Sequence, residues 1–267
     1  MRKTDPENIF SGGRLVRKAG ILLFWLALWQ GMSTLVDNPI LMAGPLETLR
    51  ALWRLLREEK FWQAVAGTTF KVVSGFLLGS FGGIVCAGLA YRFRLAREVL
   101  SPLLSVIRSI PIVSFVILLL IWQGSGRISF FISLLVVFPI LYGNTLNGLL
   151  GMGEELTQAA RLLQVGWRDR VFGIYLPEIY PELRSGFELA IGMGFKSGIA
   201  AEVIGQPAGS IGNSLYQSKI FLNTDEVLAY TLTAVCVAWV VEKLFVTVWS
   251  MVQGRGTDRS SRKGSAL

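Results

Sequence analysis

An all-α membrane protein with six spans is the fold class this sequence predicts, and three observations predict it. The chain is 52% hydrophobic and only 16% charged over its 267 residues, against about 25% charged in soluble domains. Six apolar runs lie near the ~20 residues needed to cross a hydrocarbon core. They are Ala19–Val36, Thr69–Ala90, Leu103–Trp122, Ile128–Leu150, Phe187–Ile204 and Val227–Met251. Their connections divide the basic residues unequally. With both termini in the cytosol, seventeen Lys and Arg fall inside and six outside, the bias of cytosolic loops.

Each element follows from local pattern. Residues 1–18 form a basic cytosolic segment, and residues 19–251 the transmembrane domain. Ala19–Val36 is too long for a signal-peptide core and lacks a small-residue cleavage site, so it reads as the first span. In Pro45–Trp62, Leu46, Leu49, Leu52, Trp53 and Leu56 recur at helical spacing opposite Arg50, Arg54 and Arg57. This predicts an amphipathic helix, either on the outer membrane surface or packed against neighbouring spans. Gly75, Gly79 and Gly83 form a four-residue stripe, as do Gly186, Ala190, Gly194 and Gly198. Such stripes bring helix backbones together in lipid, within one chain or between two copies. Gln206–Gly212 reads as an outer turn. Residues 252–267 form a basic cytosolic tail, rich in Gly and Ser and predicted to be disordered from Gly254 onward.

Composition also excludes. Cys86 and Cys236 lie within predicted spans and the chain has no histidine. A disulfide framework or a Cys/His metal site is therefore not expected, nor a bound cofactor. The formal charge of +8 comes from residues flanking apolar runs, so no nucleic-acid partner is expected.

The longest interior cytosolic connection is Gly151–Pro181. Glu154 and Glu155 favour a helix N-terminus. Thr157–Val165 can form about two turns, with Ala159 and Ala160 as a bare patch beside Arg161, Leu162 and Leu163. Gly166 permits a bend, a second short helix follows from Trp167 to Tyr175, and Pro177 and Pro181 punctuate what comes next. Small and apolar anchors on one face suit insertion into a groove on another protein. The residues alone leave an ordinary solvated loop equally open.

This stretch resembles the cytosolic EAA loop of bacterial ABC-importer permeases, E-A-A-x-x-x-G followed by I-x-L-P. Gln158, Ala159 and Ala160 stand at its head, and Ile174-Tyr175-Leu176-Pro177 at its end. Gln158 replaces the glutamate, and Gln164 stands where glycine is expected, with Gly166 available to supply the bend. "SPLLSVIRSIPIVSF", "FKSGIAAEVIG" and "LNTDEVLAY" resemble the sulfonate/nitrate/taurine branch, so about Trp62 to Trp249 is covered, within a core of residues 61–251.

The resemblance implies a type I importer permease in the bacterial inner membrane, with a coupling helix between spans 4 and 5. It also implies a second permease copy, two ATP-binding cassette subunits holding ATP and Mg, and an external solute-binding protein. The chain itself has no G-x-x-x-x-G-K-[ST] phosphate loop, so it is not expected to be an enzyme. Ala160→Asp is expected to uncouple uptake from ATP hydrolysis.

Polar residues inside the apolar runs are functional candidates, because each costs about 2.5–3.5 kcal/mol on insertion scales. Ser114, Glu188, Lys196, Ser197 and Glu202 form this set. Lys196 reads either as lining an anion pathway or as half of an ion pair, and Glu202 as near the outer end, reaching the interface. A stand-alone secondary transporter or channel is the alternative, and a membrane-embedded enzyme a more distant one. The cargo expected is a small hydrophilic solute, with sulfonates, taurine, nitrate, bicarbonate and vitamin precursors all open, and two copies of Lys196 facing a shared pathway would favour an anion.

Overall fold

The structure, a computed structural model, describes residues 9–38, 40–153, 162–164 and 166–264. The described elements are helical: α1 (Ile9–Val36), α2 (Pro45–Leu55), α3 (Glu59–Arg92), α4 (Arg94–Ser109), α5 (Ile112–Gln123) and α6 (Ile128–Gly151) come first. After them run α7 (Trp167–Arg170), a π turn (Val171–Tyr175), α8 (Leu176–Glu178), α9 (Tyr180–Gly205), α10 (Ile211–Ile220) and α11 (Thr224–Gly264). The chain forms two compact units. The smaller holds residues 1–61 and 215–232, and the larger residues 62–214 and 233–267.

In the smaller unit α1 exposes Leu22, Leu23, Phe24 and Trp25, each more than 60% accessible. A helix that apolar outside a core needs lipid around it. Its C-terminal end is tied to the next loop by Trp29 Nε1 donating to Ala43 O (3.1 Å) and Ser33 Oγ donating to Met42 O (2.9 Å). Pro45 opens α2, and the Glu47 carboxylate accepts the Gly44 N–H at 2.8 Å, satisfying a donor the helix cannot. Helix α2 is amphipathic, as its spacing predicts, and one face packs. Thr48, Ala51 and Leu55 are buried in the unit, while Leu46, Leu49 and Trp53 remain exposed. Arg54 reaches Glu226 at 2.8 Å.

The core of the larger unit lies among α3, α6, α9 and the middle of α11. Val72, Phe76, Val137, Leu141, Phe187, Ile191 and Phe195 are buried together. Phe76, Phe187 and Phe245 form an aromatic trio with centroids 4.7–6.0 Å apart. Both glycine stripes are used inside this unit. A Cβ on Gly75 would sit 2.2 Å from Phe130 O, and one on Gly83 2.7 Å from Phe138 O, so α3 lies directly on the α6 backbone. Gly186 likewise abuts Asn144, and Gly198 abuts Val72. Gly75→Val is therefore expected to cost about 3 kcal/mol, the upper end for overpacked cores. Gly88→Val, where nothing lies within 4 Å, should leave thermal unfolding in detergent nearly unchanged.

Among the described residues, four helices are long and apolar enough to cross a membrane, and the pair α4 and α5 makes a fifth if counted as one bent span. The predicted fifth span lies in α9, whose 26 residues give about 39 Å of length. It misses the apolar criterion because Glu182, Arg184, Glu188, Lys196 and Glu202 interrupt it.

Two expectations need correction. The run Leu103–Trp122 is not one straight span: it bends by 97° between α4 and α5. Pro111 has no N–H and pushes the preceding residue out of the helical region, and Ile110 sits at ψ 129 accordingly. The tail does not leave the helix at Gly254, since α11 continues to Gly264. Extending an existing helix costs far less than starting one.

Helix α4 has an unusual polarity. Leu95, Val99, Leu103 and Val106 are exposed, while Arg97, Ser101, Ser105 and Arg108 form the opposite stripe at helical spacing. That stripe turns toward α6, where Arg108 Nη2 donates to Pro139 O at 2.7 Å.

Candidate functional site

The connection between α6 and α9 is anchored from its C-terminal side. Ile179 is 4% exposed and joins the core with Leu149, Met152 and Leu183, and Tyr175 packs against the same cluster. Gly148 lets Ile179 approach, since an added Cβ would meet the Ile179 side chain at 3.1 Å. The Tyr175 ring meets Tyr91 of α3 edge-on at 6.1 Å. The π turn at Val171–Tyr175 ends where Pro177 follows. A proline ring clashes with the carbonyl four residues back and offers no N–H to it. Widening the turn, so that the Leu176 N–H donates to Val171 O, relieves that crowding.

Of the residues predicted for this segment, Gln158, Ala159, Ala160 and Arg161 lie outside the described residues. Leu162 and Leu163 are 83% and 77% exposed, two leucines on a segment whose base is fixed in the core. Leu176, Pro177 and Gly166 are exposed. Phe172, which sequence reading did not single out, is 67% exposed on the same segment. Its signal was one aromatic amid Arg168, Asp169 and Arg170.

The bend falls at Gln164 and not at Gly166. Gln164 has φ +50, in the left-handed region, whereas Gly166 is not among the positive-φ glycines. This is the very position at which the EAA pattern expects glycine. A side chain there costs roughly 1–2 kcal/mol. Gln164→Gly is accordingly expected to be tolerated and to stabilise the turn by about 1 kcal/mol, read as slower amide exchange across residues 162–166.

The intramembrane candidates separate. Glu188 accepts from Arg184 Nε at 3.0 Å on its own helix, a half-exposed (i, i+4) pair. Ser114 is exposed on α5 and Ser197 is buried in the α9 packing face. Lys196 is exposed, and no carboxylate of the described residues pairs with it.

Glu202 does not reach the interface; it is fully buried. Its carboxyl oxygens accept from Thr68 Oγ1 (2.8 Å), Ser129 Oγ (2.8 Å) and the Gly212 N–H (3.2 Å). Thr68 in turn accepts the Ile211 N–H at 2.9 Å. One carboxyl thus ties α3, α6 and α9 to the first turn of α10. Only glycine fits at 212, where a Cβ would lie 2.3 Å from that of Glu202. Burying such a group is tolerable because its acceptors are filled.

Lipid-facing apolar helices, a dry core tied by one buried carboxyl and one core-anchored segment with exposed leucines define a polytopic helical membrane protein. Residues 79–251 match the family described as binding-protein-dependent transport system inner membrane component. The chain belongs to that family. It is 25% identical over 233 residues to the taurine transport system permease protein of Escherichia coli, covering 84% of this chain and 83% of the relative. It is 25% identical over 210 residues to the nitrate import permease protein of Synechococcus elongatus, covering 74% of each. The bicarbonate transport system permease protein of the same organism is 30% identical over 206 residues, covering 72% of each. The chain is thus a permease subunit of a binding-protein-dependent importer, and a stand-alone channel or secondary transporter is not favoured.

Proposed function

We propose that two copies of this chain form the passage of an ATP-driven importer for a small oxyanion, with ATP and Mg bound on two cytosolic ATPase subunits. The observation that carries the coupling is the segment after α6: Leu162, Leu163 and Phe172 are exposed while Ile179, at its base, is buried in the core. A lever needs that combination of an apolar tip for a partner's groove and a stiff root in the moving body. In this reading α9 completes a set of six spans and both termini and this segment lie in the cytosol, which the distribution of Lys and Arg supports. A solute-binding protein delivers cargo from the other face.

Three relatives are named for taurine, nitrate and bicarbonate, each bearing an oxyanion group, and these support the cargo class proposed here; a fourth is named for riboflavin. The test is reconstitution in proteoliposomes with its ATPase subunits and solute-binding protein. ATP hydrolysis stimulated by loaded binding protein, with uptake of taurine or nitrate, is the expected result. Uptake with no dependence on ATP or on a second protein overturns the reading.

A further inference from the structure

A cavity of about 650 Å³ lies between α4, α6 and α9, lined by Arg97, Arg108, Ser101, Ser105, Asn144 and Asn147 among others. Its lining contains no aspartate or glutamate. The nearby Glu98 is held by Arg94 at 2.9 Å on the exposed side of α4.

Both arginines are placed with donors to spare. Arg108 Nη2 donates to Pro139 O, and Arg97 Nε donates to Ala90 O at 3.2 Å. A guanidinium carries five N–H groups, so each retains several. Gly143 makes the arrangement possible, because a Cβ there would lie 2.8 Å from Arg108 Nη2. The polarity of α4 supplies a second, independent argument. Leu95, Val99, Leu103 and Val106 stand exposed on one side, Leu104 is buried, and Arg97, Ser101, Ser105 and Arg108 line the cavity between them. Basic and hydroxyl side chains gathered on one side of an otherwise apolar helix mark a polar passage beside it.

We infer that the face of α4 and α6 carrying Arg97 and Arg108 is an oxyanion site on the path of the cargo. This rests on the importer reading above and adds the residues that recognise the charge. Fork-shaped donors suit planar or tetrahedral oxyanions, and the serine hydroxyls and asparagine amides replace water around the remaining oxygens. Next along the α9 face from Leu189, Met193 lines a smaller apolar cavity of about 280 Å³ with Ile112, Phe115 and Ile140. The oxyanion therefore rests on the α4 arginines, one of which, Arg108, also borders this mostly apolar cavity.

The test places a Ser105→Cys reporter in a permease whose Cys86 and Cys236 are alanine, assembled with its partners in nanodiscs. Sulfonatoethyl methanethiosulfonate and its trimethylammonium analogue report the local charge, each rate normalised to a neutral free thiol. One-signed clefts raise the local concentration of counter-ions by tenfold or more. The anionic reagent is expected to react about tenfold faster, and combined Arg97→Gln and Arg108→Gln to bring the ratio to about unity. Millimolar methanesulfonate should slow the anionic reagent in the parent arginine background, which needs no arginine variant. A normalised ratio at or below one, or no protection by methanesulfonate, in a complex that still couples ATP to uptake overturns the site and leaves the importer reading intact. Anion preference in a complex that shows no ATP-dependent uptake sinks the importer reading instead.

Discussion

A permease carrying Leu163→Asp is expected to reach the membrane at the parent's level and to lose at least about tenfold of its ATP-driven uptake. Leu163 is 77% exposed, so the permease itself loses no buried contact. The cost falls on the complex, where the aspartate must enter an apolar groove without a partner. Truncating a central anchor of an interface costs about 2 kcal/mol or more, roughly thirtyfold in affinity, and an unpaired buried charge adds to that. Co-purification of the ATPase subunits should fall in step with uptake, while Leu163→Met keeps both. Ala160→Asp, in the stretch that resembles the EAA loop, is expected to act alike. Normal uptake by Leu163→Asp would show that the leucine tip grips nothing.

Glu202→Ala is expected to lower the stability of the folded permease by about 2–5 kcal/mol. Each buried donor left without an acceptor costs about 1–3 kcal/mol. Three donors aim at this carboxyl, and although the Thr68 and Ser129 hydroxyls can rotate, the Gly212 N–H cannot. The first turn of α10 should loosen before the core does, so limited proteolysis should cut within residues 206–212 before thermal unfolding. Glu202→Gln keeps one acceptor oxygen and should fall between parent and alanine. An alanine variant with the parent's melting temperature and cleavage pattern would show that the knot does not hold α10.

The elements legible in the sequence were those set by short-range pattern. The amphipathic spacing from Leu46 to Leu56 gave α2, and the four-residue glycine spacing gave the faces on which α3 and α9 pack. The bend between α4 and α5 was hidden, because the apolar run continues through it and outweighs the Ile110-Pro111 signal. The partners of Glu202 were out of reach for another reason: Thr68 lies 134 residues away, and no local period reports such a contact. Glu188 could have been matched with Arg184 by (i, i+4) spacing, but a charge in an apolar run drew it into the pathway set. The inward arginines of α4 were counted as topology residues, since their orientation appears only when α6 is beside them.

Crosslinking from residue 163 tests the central claim most directly. In the assembled complex, a Leu163→Cys permease bearing a short bifunctional maleimide should crosslink to the ATPase subunit and not to the solute-binding protein. The yield should change when ATP binds. Labelling of the same position in intact cells by a membrane-impermeant reagent, with no ATPase adduct, would place the lever on the wrong side of the membrane and contradict the account.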